Sequence, residues 1–212
     1  MPAVVFDFDG LMIDSESEIA ACVIDVLARR GMTLAIAQIA HLFGSTDDDE
    51  EWERILSGVG GPSLAELRVE VDGVLPARVD ALPLLPGVVE VLDAAAAQGW
   101  ATGIATGQER ARLDQHLARF GLLDRFDSIV TRREVARGKP APDIYLEAAD
   151  RLGVAPRECL ALEDSLPGCL SARAAGMDVI VCPSPATVGC AFPPDTRIVG
   201  SLLEIDLGRG PR

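Results

Sequence analysis

The second half of the chain alternates between two kinds of segment, and this alternation restricts the fold more than any other feature. Short apolar runs typical of buried strands occur at 100–105, 126–131, 159–162 and 179–182. Segments with helical spacing of apolar residues occur at 88–98, 109–120, 143–152 and 167–175, and each is followed directly by a glycine. This pattern is typical of a doubly wound parallel sheet of the α/β class. A further edge strand is expected at 198–199.

A first strand lies far upstream of the others. Residues 3–6 are an apolar, partly β-branched run that predicts a buried strand of the same sheet. The region 15–84 that follows has helical periodicity almost throughout. We therefore predict that residues 1–14 and 85–212 form a Rossmann-like α/β core, and that 15–84 is an all-helical cap inserted after the first strand.

Three local predictions concern this helical region. Ser15, with Glu18 three residues on, is expected to cap the first helix. Thr46 is expected to cap a helix that begins with acidic residues and ends near Leu56. Residues 63–79 keep one helical period and predict continuous helix.

The charge and the cysteines restrict the partners and the compartment. The net charge of −14 argues against nucleic acid or an anionic membrane as a partner. An anionic substrate would need local cations, either a metal ion or a few placed basic side chains. The five cysteines contain no C-x-x-C pair, which favours reduced thiols over a disulfide framework or a zinc site. With no leader-like or membrane-spanning run, we expect a cytoplasmic protein.

Polar residues with chemical potential follow four of the predicted strands. They are Asp7 and Asp9 after the first strand, Thr106 and Gly107 after 100–105, Lys139 in the loop after 126–131, and Glu163 and Asp164 after 159–162. In a doubly wound sheet, ligands bind beyond the carboxyl ends of the strands. We therefore expect these side chains to meet at one site.

The residue types at this expected site suit phosphoryl transfer. Asp7 and Asp9 are two residues apart and can face the same way, so they would repel by roughly 4 kcal/mol at about 4 Å unless a proton or cation lies between them. Mg²⁺ is commonly held by one or two carboxylates together with substrate phosphate, and a carboxylate can act as a nucleophile. Lys139 and the Thr106 hydroxyl would bind phosphoryl oxygens. Each residue alone is more often a turn former, a cap or a surface charge, but their joint placement favours a site.

Four stretches of the chain resemble the four motifs of the haloacid dehalogenase superfamily of phosphatases and phosphomutases. They are Asp-Phe-Asp-Gly-Leu-Met-Ile-Asp-Ser-Glu from Asp7, Thr-Gly from Thr106, Gly-Lys-Pro-Ala-Pro-Asp from Gly138, and Glu-Asp-Ser from Glu163. The resemblance covers residues 3–182 and is to the β-phosphoglucomutase-like or phosphoglycolate phosphatase-like branch, which has a small helical cap after the first motif. The second aspartate, Asp9, distinguishes the chain from the dehalogenases themselves.

The resemblance implies a catalytic and metal-binding role for four acidic residues. Asp7 would be the nucleophile and a metal ligand. Asp9 would be the general acid and then the general base, with its backbone carbonyl on the metal. Asp164, with Glu163 close by, would complete the Mg²⁺ site.

The resemblance also implies how the phosphoryl group is bound. Thr106 and Lys139 would contact it, and Lys139 would also pair with Asp7. Backbone amides would cradle its oxygens, namely those of Phe8, Gly10, Leu11 and Gly107. His116, by contrast, is predicted to lie on a helix far from these motifs.

The predicted function is hydrolysis of a small phosphorylated metabolite. Phosphomutases of this branch carry a histidine on the first cap helix and an arginine in a cap loop. Ile19 stands at the first position, and residues 44–47 contain no base. We therefore predict a Mg²⁺-dependent phosphatase for a sugar or polyol phosphate that acts through an aspartyl phosphate. The alternatives are a phosphomutase and a non-catalytic protein that binds a phosphorylated ligand.

Overall fold

The computed structural model describes residues 2–45 and 48–209 and contains a six-stranded sheet in which neighbouring strands are parallel. The strands are β1 (Ala3–Phe6), β2 (Ala101–Thr106), β3 (Ser128–Thr131), β4 (Cys159–Glu163), β5 (Asp178–Val181) and β6 (Arg197–Ile198). Their order is β3-β2-β1-β4-β5-β6, with Phe6 of β1 in register with Ile104 and Leu162. The predicted parallel sheet, with its edge strand, is confirmed.

A helical region separates β1 from the rest of the sheet. It contains α1 (Ser15–Arg29), α2 (Asp49–Gly58), α3 (Leu64–Asp72), α4 (Leu75–Val79) and two 3₁₀ turns, Ile36–Gln38 and Ala40–Leu42. Apolar residues of this region, which include Val26, Leu56 and Leu67, form a buried cluster together with Ala186 of the loop after β5. The inserted helical region of the predicted fold is therefore present, and its boundaries at 15 and 84 stay a prediction.

Helices cover both faces of the sheet. They are α5 (Val88–Gln98), α6 (Arg110–Phe120), α7 (Asp143–Leu152) and α8 (Leu166–Ala174). Because side chains alternate along a strand, Val4 and Phe6 of β1 pack with apolar residues of α5 and α6 on one face. Ala3 and Val5 pack with apolar residues of α7 and α8 on the other. This two-sided burial explains why β1 is apolar throughout.

Two predictions in the helical region are wrong. Ser15 does not cap α1, since no side-chain cap is formed there and its hydroxyl bonds to Asp9 instead. Residues 63–79 form two helices, α3 and α4, rather than one. Pro76 lies in the first turn of α4, where its missing N–H is tolerated, whereas it would disrupt a helix that continued through it. The expected cap residue Thr46 lies outside the described residues.

The other boundaries lie within about two residues of their predicted positions. The predicted glycine-terminated ends of α5, α6 and α7 are confirmed. β2 extends one residue further than predicted, so that Thr106 ends the strand and is fully buried. Within the described ranges, the structure contains no helix that combines the length and the apolar character needed to cross a membrane.

Candidate active site

The carboxyl ends of the central strands bring the predicted residues together. Asp7 directly follows β1, Thr106 ends β2, and Glu163 ends β4 with Asp164 directly after it. The parallel register of β1 with β2 and β4 places these ends side by side. Lys139 reaches the same point from the loop after β3, and its side chain is buried.

Lys139 connects the first strand to the fourth. Its Nζ atom lies 2.8 Å from Asp7 Oδ1 and 2.7 Å from Glu163 Oε1. Burial lowers the pKa of Lys139, but the carboxylates of Asp7 and Glu163 more than reverse this effect, so the pKa is raised above its usual value. Lys139 therefore stays protonated at neutral pH.

Asp7 is poised between its two protonation states. Burial raises its pKa to about 7, against the opposing influence of Lys139. The nearby carboxylate of Glu163 contributes to this increase. An added cation would favour the ionised form, which is the form that can act as a nucleophile.

Both carboxylate oxygens of Glu163 accept hydrogen bonds. Oε1 accepts from Lys139 Nζ at 2.7 Å and from the Tyr145 hydroxyl at 2.5 Å. Oε2 accepts from the Ser165 hydroxyl at 3.0 Å. A Cβ atom on Gly168 would overlap this carboxylate, so glycine at the start of α8 allows Glu163 to fit there. These contacts favour Glu163 as a residue that orients Lys139, and its predicted metal contact stays a prediction.

The buried acidic residues fit a divalent cation. Asp7, Glu163 and Asp164 each offer an oxygen, and the three atoms lie within 4.8 Å of one another. Among the described residues, Asp164 Oδ1 is a buried atom without a hydrogen-bond partner. Burial, Glu16 and Glu163 raise the pKa of Asp164 well above its usual value, which reflects carboxylates crowded together. Hard divalent cations prefer oxygen ligands and relieve such crowding.

Asp9 occupies a different position from this acidic cluster. Its Oδ1 accepts a 2.7 Å hydrogen bond from the Ser15 hydroxyl, and Gln108 Nε2 lies 3.3 Å from both of its carboxylate oxygens. Burial raises the pKa of Asp9, although the Ser15 bond opposes this. A raised pKa favours the protonated state that a general acid requires.

The residues of the predicted phosphate cradle follow β1 and β2. Gly107 lines the cavity beside Asp7, and the Thr106 hydroxyl accepts a 3.1 Å hydrogen bond from the Gln108 amide. The Gly10 amide, however, donates to the Ile13 carbonyl at 2.8 Å. The phosphate-binding roles of Phe8, Gly10 and Leu11 stay predictions.

A cavity of about 230 Å³ opens above Asp7, Asp9 and Lys139. Its apolar wall comes from the helical region and consists of Ile19, Leu75 and Val79. Its other polar lining residues are Ser15, Glu16, Ser45, Gln108 and Arg112. The cavity thus offers one catalytic floor, one apolar wall and one polar rim.

Three residues near the site were not predicted from the sequence: Gln108, just before α6, and Arg112 and His116 on α6. Gln108 and Arg112 line the cavity. The prediction that His116 lies far from the motifs is wrong, because its ring is close to that of Phe8 in the first motif. The His116 ring is buried and its centroid lies 5.6 Å from that of Phe8. The three residues are spaced by four, which is the spacing of one helix face. This spacing begins at Gln108, two residues after Thr106, and is a sequence signal by which these three residues could be predicted.

The doubly wound sheet and the buried carboxylate and lysine groups at its carboxyl edge define an α/β enzyme. A family model described as haloacid dehalogenase-like hydrolase matches residues 1–176. The chain belongs to this family and is a phosphoric monoester hydrolase.

Named relatives and a solved structure agree with this assignment. The chain is 35% identical to hexitol phosphatase B of Escherichia coli strain K12, over 86% of this chain and 84% of that protein. It is 34% identical to the fructose-1-phosphate phosphatase YqaB of the same strain, over 83% and 93%. A variant of CbbY from Rhodobacter sphaeroides, crystallised with xylulose-(1,5)bisphosphate, superposes with a TM-score of 0.77 at 27% identity and 96% coverage of both chains.

Proposed function

We propose that the protein is a Mg²⁺-dependent phosphatase that hydrolyses a small sugar or polyol phosphomonoester through an aspartyl phosphate. The observation that carries the proposal is the setting of Asp7. Its carboxylate lies 2.8 Å from the buried Lys139 ammonium, within the acidic cluster that contains Asp164, and at the floor of a cavity.

Asp7 and Asp9 divide the chemistry in this proposal. A carboxylate oxygen of Asp7 attacks phosphorus, and the bond from phosphorus to the leaving oxygen breaks. Asp9 donates a proton to that oxygen and then accepts one from the water that attacks phosphorus of the phosphoenzyme, which breaks the bond from phosphorus to the Asp7 oxygen and releases phosphate. Burial raises the pKa of Asp9, which is the direction of change that a general acid needs.

The remaining residues bind the phosphoryl group and the metal ion. Lys139 and Thr106 neutralise and hydrogen-bond the phosphoryl oxygens. Asp7, the Asp9 carbonyl and Asp164 would hold Mg²⁺, with Glu163 either as a ligand or as the residue that fixes Lys139. When bound, Mg²⁺ would supply positive charge to the phosphoryl oxygens and to the crowded carboxylates.

The cavity supports a small leaving group with hydroxyl groups. The Glu16 carboxylate and the Gln108 amide are hydrogen-bonding partners for hydroxyls, and Ile19 and Leu75 provide an apolar wall. The acidity of the helical region disfavours a highly charged leaving group. The names of two relatives described above, hexitol phosphatase B and fructose-1-phosphate phosphatase, indicate substrates of this kind.

Two observations keep a second candidate function open. Arg112 lines the cavity and could meet a second anionic group, and CbbY was crystallised with a bisphosphate. Phosphomutase activity is less well supported, because Ile19 occupies the cavity wall where the resemblance would require histidine. Incubation with a hexose 1-phosphate separates these functions, since a mutase would accumulate the hexose 6-phosphate before free phosphate.

We further propose that residues 15–84 move as a cap over the core. The two chain connections to this region lie side by side, and the Leu85 amide donates to the Met12 carbonyl at 2.8 Å. Arg112 of the core also lies 3.3 Å from Asp80 at the end of α4.

A cytoplasmic location fits the five cysteines, all of which are free thiols.

The direct test is phosphate release from a panel of substrates. The panel would contain a hexitol 6-phosphate, fructose 1-phosphate, xylulose 1,5-bisphosphate and a generic aryl phosphate, each assayed with Mg²⁺ and with a chelator. We expect Mg²⁺-dependent release, fastest with the hexitol or fructose monophosphate. A folded, metal-binding protein that releases phosphate from none of them would refute the proposal.

A further inference from the structure

A loop that no motif covers reaches the acidic cluster. The chain after β5 turns back toward β4, and Thr187 in this loop is fully buried. Its Oγ1 donates a 2.7 Å hydrogen bond to the Asp164 carbonyl and lies 3.4 Å from Asp164 Oδ2. The same oxygen accepts a 3.0 Å hydrogen bond from the Ser184 amide. Thr187 therefore contacts both the backbone and the side chain of Asp164.

The loop itself is held at several points. The Cys182 amide donates to the Glu163 carbonyl at 2.7 Å, which ties the end of β5 to β4. Ala186 is buried in the apolar cluster of the helical region. Thr187 is thus held next to a packed alanine, and its shortest hydrogen bond is the one to the Asp164 carbonyl.

Gly10 also confines the Asp164 carboxylate. Gly10 adopts a φ of +78°, and a Cβ atom there would overlap Asp164 Oδ2. Oδ2 is therefore close to both Gly10 and Thr187. Oδ1 is left buried and without a hydrogen-bond partner among the described residues. One Asp164 carboxylate oxygen lies within 4.8 Å of oxygens of Asp7 and Glu163.

We infer that Thr187 is a positioning residue for the metal ion: it fixes Asp164 so that Oδ1 faces the cation held with Asp7. The inference rests on the proposed metal site and extends it to a residue outside the four motifs. Residues that orient a metal ligand through hydrogen bonds contribute to metal affinity, and their loss typically weakens binding by about 10- to 100-fold.

The test is Mn²⁺ binding, followed by the free-ion electron paramagnetic resonance signal, in the absence of substrate. Thr187→Val keeps the size of the side chain but removes the hydroxyl, and we expect about tenfold weaker Mn²⁺ binding. Thr187→Ser keeps the hydroxyl and should bind nearly as tightly as wild type. Thr102→Val is the matched control, since the Thr102 hydroxyl also donates to a backbone carbonyl at 2.7 Å, that of Arg125, but outside the site.

The outcomes separate this inference from the proposed function. Wild-type Mn²⁺ affinity in folded Thr187→Val would overturn the role of Thr187 while leaving the phosphatase intact. Equal Mn²⁺ binding by wild type and Asp164→Asn would overturn the metal site itself. If Thr187→Val does not fold, Thr187→Cys, which keeps a weaker donor, must lose affinity for the inference to stand. In activity assays of Thr187→Val, the Mg²⁺ concentration that gives half-maximal activity should rise, while the substrate KM at saturating Mg²⁺ stays unchanged.

Discussion

Replacement of Lys139 by methionine tests the electrostatics of the site most sharply. Methionine has a similar length and keeps the buried packing, but it removes the charge that lies 2.8 Å from Asp7 and 2.7 Å from Glu163. Each contact corresponds to an attraction of about 6 kcal/mol at an effective dielectric of about 20. Burial of the ammonium offsets much of this, and breaking a buried ion pair typically costs about 3–5 kcal/mol. We expect a loss of that size in the free energy of unfolding at pH 8.

Urea unfolding without metal, at pH 8 and at pH 5, measures this loss. The burial of Asp7 raises its pKa to about 7, so at pH 5 Asp7 is protonated and neutral. A neutral carboxyl group is stabilised less by the Lys139 charge than a carboxylate is. The loss caused by Lys139→Met should therefore be smaller at pH 5. The double variant Lys139→Met with Glu163→Gln removes one of the two stranded charges and should recover part of the stability. Equal stability of wild type and Lys139→Met at pH 8 would refute the reasoning.

Three further predictions concern protonation and catalysis. Lys139 is the only lysine in the chain, so ¹⁵N-lysine labelling should give one ammonium signal that persists above the usual lysine pKa of about 10.4; loss of the signal near that value would contradict the raised pKa. Without metal, the folded protein holds an extra proton on Asp7 between about pH 4 and 7, so its stability to urea should fall as pH rises through this window. Added Mg²⁺ should remove that decline, and an unchanged slope would argue against the site. Asp9→Asn should lower kcat by about 10²-fold or more at an unchanged melting temperature, and near-normal turnover would exclude Asp9 as the acid.

Much of the fold and site follows from local patterns. Apolar runs and helix-ending glycines predicted the parallel sheet, because both signals depend on residues close together in the chain. The site residues were predictable because parallel strands deliver their carboxyl ends to one edge, so Asp7, Thr106 and Asp164 needed no knowledge of long-range contacts.

The remaining features depend on contacts between distant segments. Ser15 has the local chemistry of a helix cap, yet its hydroxyl bonds to Asp9. Tyr145 is one of several apolar or aromatic positions on α7, and only the fold shows that its hydroxyl donates to Glu163. Thr187 lies in a loop with no periodicity. In each case a tertiary hydrogen bond to an acidic residue of the site decides the role of the side chain, through the carboxylate for Ser15 and Tyr145 and through the backbone carbonyl for Thr187. No local pattern carries that information.

The most direct measurement is chemical trapping of the phosphoenzyme. The protein would be mixed with an aryl phosphate and Mg²⁺, quenched in acid, reduced with borohydride, digested and analysed by mass spectrometry. Borohydride reduces an acyl phosphate on Asp7 to an alcohol. We therefore predict a mass change only in the peptide that contains Asp7, located at Asp7 itself, and only when substrate and Mg²⁺ are both present. Phosphate release with an unmodified Asp7, or with the modification on Asp9 or Asp164, would contradict the assignment of Asp7 as the nucleophile.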